Sequence, residues 1–331
     1  MLEYLTYTAV GAVIFVNGWT DAPNAIASAV GSRSIKPGSA VAMAALCNLA
    51  GAMTVSLTGG KVAQSVFSMA EFDAGADGLR ALFAGLLSVV IWAVFAWYFG
   101  IPTSESHALL AGVSGAAAAA GGGAAVSAAE WAKVGIGIMV STLPAFLLAW
   151  GVFDIVAFIL RQTRRQDAMP FFVLAQRAGA ASGAYLHGMQ DGQKFMGIIM
   201  LVEMIRGYEP SGEGITLKAT LLVAVLISLG TAMGGSRIIK KVAFDMVTLD
   251  APRGFAADVA STLCLGVATA LGLPVSTTHA KTCAVMGAGK AKRRGGLDLR
   301  SVRDMAAAWI FTFPICFLLG YIAATAAAGL W

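Results

Sequence analysis

Charge is scarce in this chain. Asp, Glu, Lys and Arg together supply 12% of its 331 residues, where a soluble domain carries about 25%. The longest polar stretch, around 287–304, is too short to bury a core, so no soluble domain is expected. Cysteine is sparse as well. Cys47, Cys264, Cys283 and Cys316 lie in or beside apolar runs, with no Cys-x-x-Cys spacing. That excludes a disulfide framework or cysteine metal centre and leaves packed small apolar side chains. The chain has no His-Glu-x-x-His, no Gly-x-Ser-x-Gly and no Gly-x-x-x-x-Gly-Lys loop. An enzyme is therefore not expected, nor transport driven by ATP within the chain, and no cofactor is called for. The first apolar run has no basic segment before it, so a cleaved signal is not expected either.

What is present is apolar. Hydrophobic residues make up 58% of the chain. Charge-free stretches recur at 4–20, 37–60, 81–104, 106–129, 134–153, 219–236, 259–280 and 305–331. Most reach the ~20 residues that a helix needs to cross a bilayer core. They lack the alternation of barrel strands, and in lipid only helices or closed barrels satisfy their own backbone. The expected fold is an all-α polytopic membrane protein embedded in a lipid bilayer.

Basic residues sit between the apolar runs, which favours membrane orientation over nucleic-acid binding. Four segments hold 16 of the 23 Lys and Arg residues: Arg33 and Lys36; Arg161, Arg164, Arg165 and Arg177; Arg237, Lys240, Lys241 and Arg253; and Lys290, Lys292, Arg293, Arg294, Arg300 and Arg303. The segment between Gly60 and Arg80 is acidic, with Glu71, Asp73 and Asp77. By the positive-inside rule the four basic segments face the cytoplasm of a cell inner (plasma) membrane, with both termini outside.

The chain repeats itself. Pro274-Val-Ser-Thr-Thr-His279 has a degenerate copy in Pro102-Thr-Ser-Glu-Ser-His107. Asp21 precedes Pro102 by 81 residues and Asp191 precedes Pro274 by 83. Residues 1–160 and 178–331 then read as two transmembrane repeats, joined by a basic cytoplasmic linker at 161–177. One half enters the membrane from outside and the other from inside. Such inverted-topology repeats place broken or re-entrant helices, and the transport site, near the bilayer midplane.

Each half carries two chemical motifs. Asn17-Gly-Trp-Thr-Asp-Ala-Pro-Asn24 aligns with His187-Gly-Met-Gln-Asp-Gly-Gln-Lys194, pairing Asp21 with Asp191, Thr20 with Gln190 and Asn24 with Lys194. Gly18, Pro23, Gly188 and Gly192 are expected to interrupt the helices and free backbone carbonyls. A carboxylate beside carbonyls and amides suits a hard cation such as Na⁺, and intramembrane carboxylates are costly enough to be functional. Thr103, Ser104 and Ser106, and Ser276, Thr277 and Thr278, follow a proline and precede a new apolar run, the signal of a helix start. Two helix N-termini in inverted copies could grip a tetrahedral oxyanion. His107 and His279 read as core residues or as hydrogen-bond partners of the hydroxyls, not as metal ligands. Lys194 and Lys281 would neutralise the anion or pair with Asp191.

These motifs resemble the duplicated signatures of the inorganic phosphate transporter (PiT) family, and the resemblance covers nearly the whole chain. It implies a secondary transporter importing inorganic phosphate with a coupling cation, Na⁺ preferred and H⁺ second. Sulphate permease is the alternative within the family, and an ion channel is the less favoured class. The resemblance implies cation binding by Asp21, Asn24, Asp191, Gln190 and Gln193, with Asp21 and Asp191 as the Na⁺ ligands. It implies substrate binding by Thr103, Ser104, Ser106, Ser276, Thr277, Thr278 and Lys194. Homo-oligomerisation is compatible with this reading. The chain departs from the family pattern at Thr20 and Gln190, where Asn is usual, and at Glu105, where a second hydroxyl is usual.

Overall fold

The computed structural model describes residues 1–101, 103–208, 215–240, 247–290 and 299–330. Pro102, Lys241, Lys292, Arg293, Arg294 and the middle of the 287–304 loop lie outside the described residues. Fourteen α-helices occur among those described: α1 Leu2–Thr20, α2 Pro23–Gly31, α3 Pro37–Met53, α4 Val55–Thr58, α5 Lys61–Phe67, α6 Ala76–Phe99, α7 Glu105–Gly121, α8 Ala128–Ile159, α9 Arg165–Ile205, α10 Leu217–Met233, α11 Ser236–Lys240, α12 Ala251–Ala270, α13 Thr277–Lys290 and α14 Leu299–Leu330. Local chemistry explains many of the boundaries. Ser127, Thr216 and Asp250 cap α8, α10 and α12 by accepting from backbone N–H groups, and Gly100, Gly122 and Gly272 close helices with positive φ.

Among the described residues, four segments are long and apolar enough to cross a membrane: Pro37–Leu57, Ala76–Phe99, Ala128–Gln162 and Val302–Gly329. On α8 and α14, large side chains such as Ile136, Met139, Leu143, Ile310, Phe311 and Ile322 face outward. That is the surface a bilayer covers, since lipid tails are as apolar as the side chains themselves. α7 and α13 are buried along most of their length instead.

The packing has a two-fold pattern. α1 packs on α10 as α9 packs on α3, and α3 meets α10 between them. α1 lies on α6 as α9 lies on α12. The hairpins α6–α7 and α12–α13 correspond, and each is embraced by the other half: α14 covers α6 and α7, and α8 covers α12 and α13. The halves are therefore interlocked rather than placed side by side.

Three expectations change. The stretch 259–280 is not one helix: it holds the end of α12, a turn and the start of α13. The basic stretch 161–177 is mostly helical, because α9 begins at Arg165 and runs 41 residues without interruption. Gly188 and Gly192 thus do not break α9. Gly188 serves packing instead, since a Cβ there would sit 2.2 Å from the Asn48 carbonyl oxygen. Gly18 does the same on α1, where a Cβ would lie 2.2 Å from the Ile227 carbonyl oxygen. The break expected at the first motif is present. α1 ends at Thr20 and α2 starts at Pro23, whose missing N–H interrupts the ladder.

The two ends of the bundle differ in charge. At one end Arg177 Nε donates to the Ser34 carbonyl at 2.6 Å, Arg165 pairs with Asp250 at 3.2 Å and Lys290 lies over the Trp150 ring. At the other end lie Asp73 and Asp77. Both chain ends are there too: Glu3 pairs with Arg206, and Ala324 and Ala328 of α14 line a cavity with Asp73 and Asp77.

Candidate functional site

The site forms where the α1–α2 break and the middle of α9 meet the first turns of α7 and α13. Both hydroxyl clusters are helix N-termini. Ser104 Oγ accepts from His107 N, and Ser276 Oγ accepts from His279 N, each at 3.2 Å. The two starts lie side by side, with the His107 and His279 rings 4.6 Å apart.

The halves cross-brace each other here. Asp21, of the first half, accepts from Thr277 Oγ1 at 3.1 Å and from Thr278 Oγ1, both of the second half. Asn24 Nδ2 donates to Asp21 Oδ1 and to Thr278 Oγ1, at 2.9 Å each. In the second half, Lys194 Nζ donates to Asp191 Oδ1 at 2.6 Å and to Ser106 Oγ of the first half at 2.5 Å. Its third bond, 2.6 Å to the Val275 carbonyl, ties it to the approach of α13 as well. All of these side chains are buried. A buried charge persists only when paired and hydrogen-bonded, and for Asp191 the Lys194 ammonium meets that condition.

The other face of Asp191 meets an amide and an imidazole. Asn17 Nδ2 donates to Asp191 Oδ2 at 3.1 Å, and His187 Nε2 lies 3.4 Å from the same oxygen. Asn48 Oδ1 holds the other ring nitrogen of His187 at 2.8 Å. One potential ligand atom from each of Asp21, His187 and Asp191 falls within 4.8 Å of the others. Oxygens of two carboxylates at that spacing suit a single monovalent or hard cation.

The remaining expected residues are placed as follows. Gln190 Nε2 donates to the Leu273 carbonyl at 2.8 Å and Gln190 Oε1 accepts from Thr269, so this side chain braces the α12–α13 turn. Gln193 Oε1 accepts from Val62 N of α5 at 3.0 Å. Thr103 is buried just before α7, and its hydroxyl has no partner among the described residues. Glu105 is buried as the first residue of α7, near Thr20. Lys281 does not pair with Asp191; it pairs with buried Asp258 of α12. His107 and His279 do not hydrogen-bond the hydroxyls through their rings. His107 stacks on Phe313, His279 packs on Trp309, and only their backbone N–H groups meet the serines.

Sequence reading passed over Asn17, His187, Asn48 and Asp258. Two of them had a signal: Asn17 and His187 each stand four residues before their motif Asp. On a helix that spacing puts both side chains on the carboxylate's own face.

Fold and site together define a helical membrane protein with a buried cluster of carboxylates, hydroxyls and a lysine shared between two interlocked halves. The fold is that of a structure described as "The sodium-dependent phosphate transporter", matched with a TM-score of 0.89 over 100% of both chains at 20% identity. The model of the phosphate transporter family matches residues 17–174 and again 159–320. The chain belongs to that family. A probable low-affinity inorganic phosphate transporter of Bacillus subtilis is 32% identical over 93% of this chain and 92% of its own length. One from Rhizobium meliloti is 33% identical over 92% of this chain and 90% of its own. These relatives are named as transporters, not enzymes.

Proposed function

We propose that the chain imports inorganic phosphate together with a monovalent cation, Na⁺ or else H⁺, by alternating access. The observation that carries this reading is the cross-bracing: Asp21 accepts from hydroxyls at the N-terminus of α13, and Asp191 is tied through Lys194 to Ser106 at the N-terminus of α7. A tetrahedral anion set between the α7 and α13 N-termini would meet free N–H groups and the positive ends of both dipoles. Asp21 beside it would repel the anion strongly in a low-dielectric interior. A cation bound at Asp21 removes that repulsion, so anion and cation favour each other's binding by linkage. Movement of one half against the other would carry both ions across, since both halves contribute to one site. The basic end of the bundle then faces the cytoplasm.

Purified protein in proteoliposomes tests this directly. Labelled phosphate should accumulate when a Na⁺ gradient or a proton gradient is imposed alone, and labelled sulphate should not. Uptake indifferent to both gradients would refute coupling, and preferential sulphate uptake would move the chain to the other oxyanion.

A further inference from the structure

The two-fold pattern of the site keeps its connections but changes charge where Asn24 corresponds to Lys194, as it does where Glu105 corresponds to Thr277. Asn24 and Lys194 each stand three residues after their Asp, and Thr278 and Ser106 each stand one residue before their His. Asn24 Nδ2 bridges Asp21 and Thr278, as Lys194 Nζ bridges Asp191 and Ser106. The two triads share the same connections, but only one contains a fixed positive charge. The hydrogen-bond donors to the Asp21 carboxylate among the described side chains are Asn24, Thr277 and Thr278, all neutral. The Lys194 side chain is 1% exposed and held by three acceptors, so it cannot leave with a transported ion.

We propose that Lys194 is a tethered substitute for a coupling cation. Its ammonium supplies, at Asp191, the positive charge that a free cation supplies at Asp21. Resting on the coupled-transport reading above, this leaves one free cation position, at Asp21 and within reach of Asp191 Oδ2. Two carboxylates facing one oxyanion need two compensating charges. A tethered charge stabilises the bound anion throughout the cycle but carries nothing across. The chain therefore couples fewer cations to each phosphate than a site with Asn at both positions would.

Lys194→Asn copies the Asn24 triad onto the second half. Phosphate binding to purified full-length protein would be measured by calorimetry, with Na⁺ titrated against choline at fixed pH and with pH varied at fixed Na⁺. In the wild type, affinity should rise with the coupling cation with a Hill coefficient of about one. In Lys194→Asn, cation-free affinity should fall at least about tenfold and recover at high cation, with the coefficient rising toward about two. The reciprocal Asn24→Lys should make phosphate affinity independent of cation. An unchanged cation-free affinity and cation order in folded Lys194→Asn would overturn the proposal, as would a loss of affinity that no cation concentration restores. Should Lys194→Asn fail to fold, Asn24→Lys decides, and retained cation dependence there counts against the proposal. A wild type whose phosphate binding ignores both Na⁺ and pH would instead remove the coupled-transport reading.

Discussion

From the central site, the route toward the basic end and its counterpart toward the acidic end are built of equivalent positions with opposite chemistry. Seven residues after Asp21 stands Ser28, and seven after Asp191 stands Ile198. Asp258 stands sixteen residues before Pro274, and Leu86 sixteen before Pro102. Lys281 and Leu109 each stand seven after those prolines. Toward the basic end, Ser28 Oγ donates to Asp258 Oδ1 at 2.6 Å and Lys281 pairs with the same carboxylate. The polar seam continues to Gln176, whose Oε1 accepts from Ser32 at 2.7 Å and Ser34 at 2.5 Å. Toward the acidic end, Leu86, Leu109 and Ile198 are buried within one apolar cluster. One repeat architecture thus supports an apolar packing on one side and a charged one on the other. The same division holds at the site itself, where Asp191 has a built-in counter-ion and Asp21 has neutral donors.

The largest effect should come from the two carboxylates, and it should differ between them. Asp21→Asn removes a charge that only neutral donors hold, so nothing is left unpaired. We expect a folded protein without cation-driven phosphate uptake. Asp191→Asn strands the Lys194 ammonium in the interior, which costs about 3–5 kcal/mol, so its unfolding temperature should drop as well. Uptake and thermal unfolding in detergent, run on both variants, check this. Equal stability losses would erase the asymmetry between the halves.

Next comes the charged pair of Asp258 and Lys281. Lys281→Met leaves Asp258 buried and unpaired, with a further expected loss of about 3–5 kcal/mol. Replacing both residues, Asp258→Leu with Lys281→Leu, copies the Leu86 and Leu109 arrangement of the other half and should recover most of that stability. A double variant no more stable than Lys281→Met in a thermal unfolding series would show that the two packings are not interchangeable.

Smaller effects are expected at the hydroxyls. Ser276→Ala removes a cap of α13 and a hydroxyl beside the anion position. Thr278→Ala removes a donor to Asp21. A hydrogen bond to a charged group is worth about 1.5–3 kcal/mol, or roughly a ten- to hundredfold change in apparent Kd for phosphate. Calorimetry on folded variants measures it, and wild-type affinity in both would reduce these residues to helix caps.

Much of this was legible in the sequence because hydrophobic runs and duplicated polar motifs obey local rules. Pro with Ser/Thr marked the starts of α7 and α13, and Pro23 marked the break after α1. What escaped were features that depend on pairing across the fold. α9 was invisible to a search for charge-free runs because it carries Arg177, Asp191 and Lys194, and the last two neutralise each other only when folded. Asp258 was passed over for the same reason, since its partner Lys281 lies on another helix. Gly188 was read as a helix breaker because nothing local says that α3 will pack there.

The smallest effect should fall on the most conspicuous pair. His107 and His279 close both hydroxyl motifs, and their recurrence suggests chemistry. Yet all four ring nitrogens are buried without a hydrogen-bond partner among the described residues. The rings are spent on aromatic contacts: His107 to Phe313 at 4.3 Å, His279 to Trp309 at 3.9 Å, and each other at 4.6 Å. The capping bonds come from the backbone N–H, which any residue but proline supplies. A phenylalanine keeps the ring and removes two unsatisfied polar atoms, a change that can be neutral or stabilising. The extra volume in a packed interior opposes this, by an amount of about 1–3 kcal/mol when repacking fails. We expect His107→Phe and His279→Phe to shift stability by no more than about 1.5 kcal/mol and to leave phosphate affinity within about threefold of wild type. The two should behave alike, because each ring packs against an aromatic side chain of α14. A folded His107→Phe protein with a tenfold or greater loss of phosphate affinity would place the imidazole in the binding chemistry. Such a loss confined to one of the two would extend the asymmetry of the halves into the helix starts themselves.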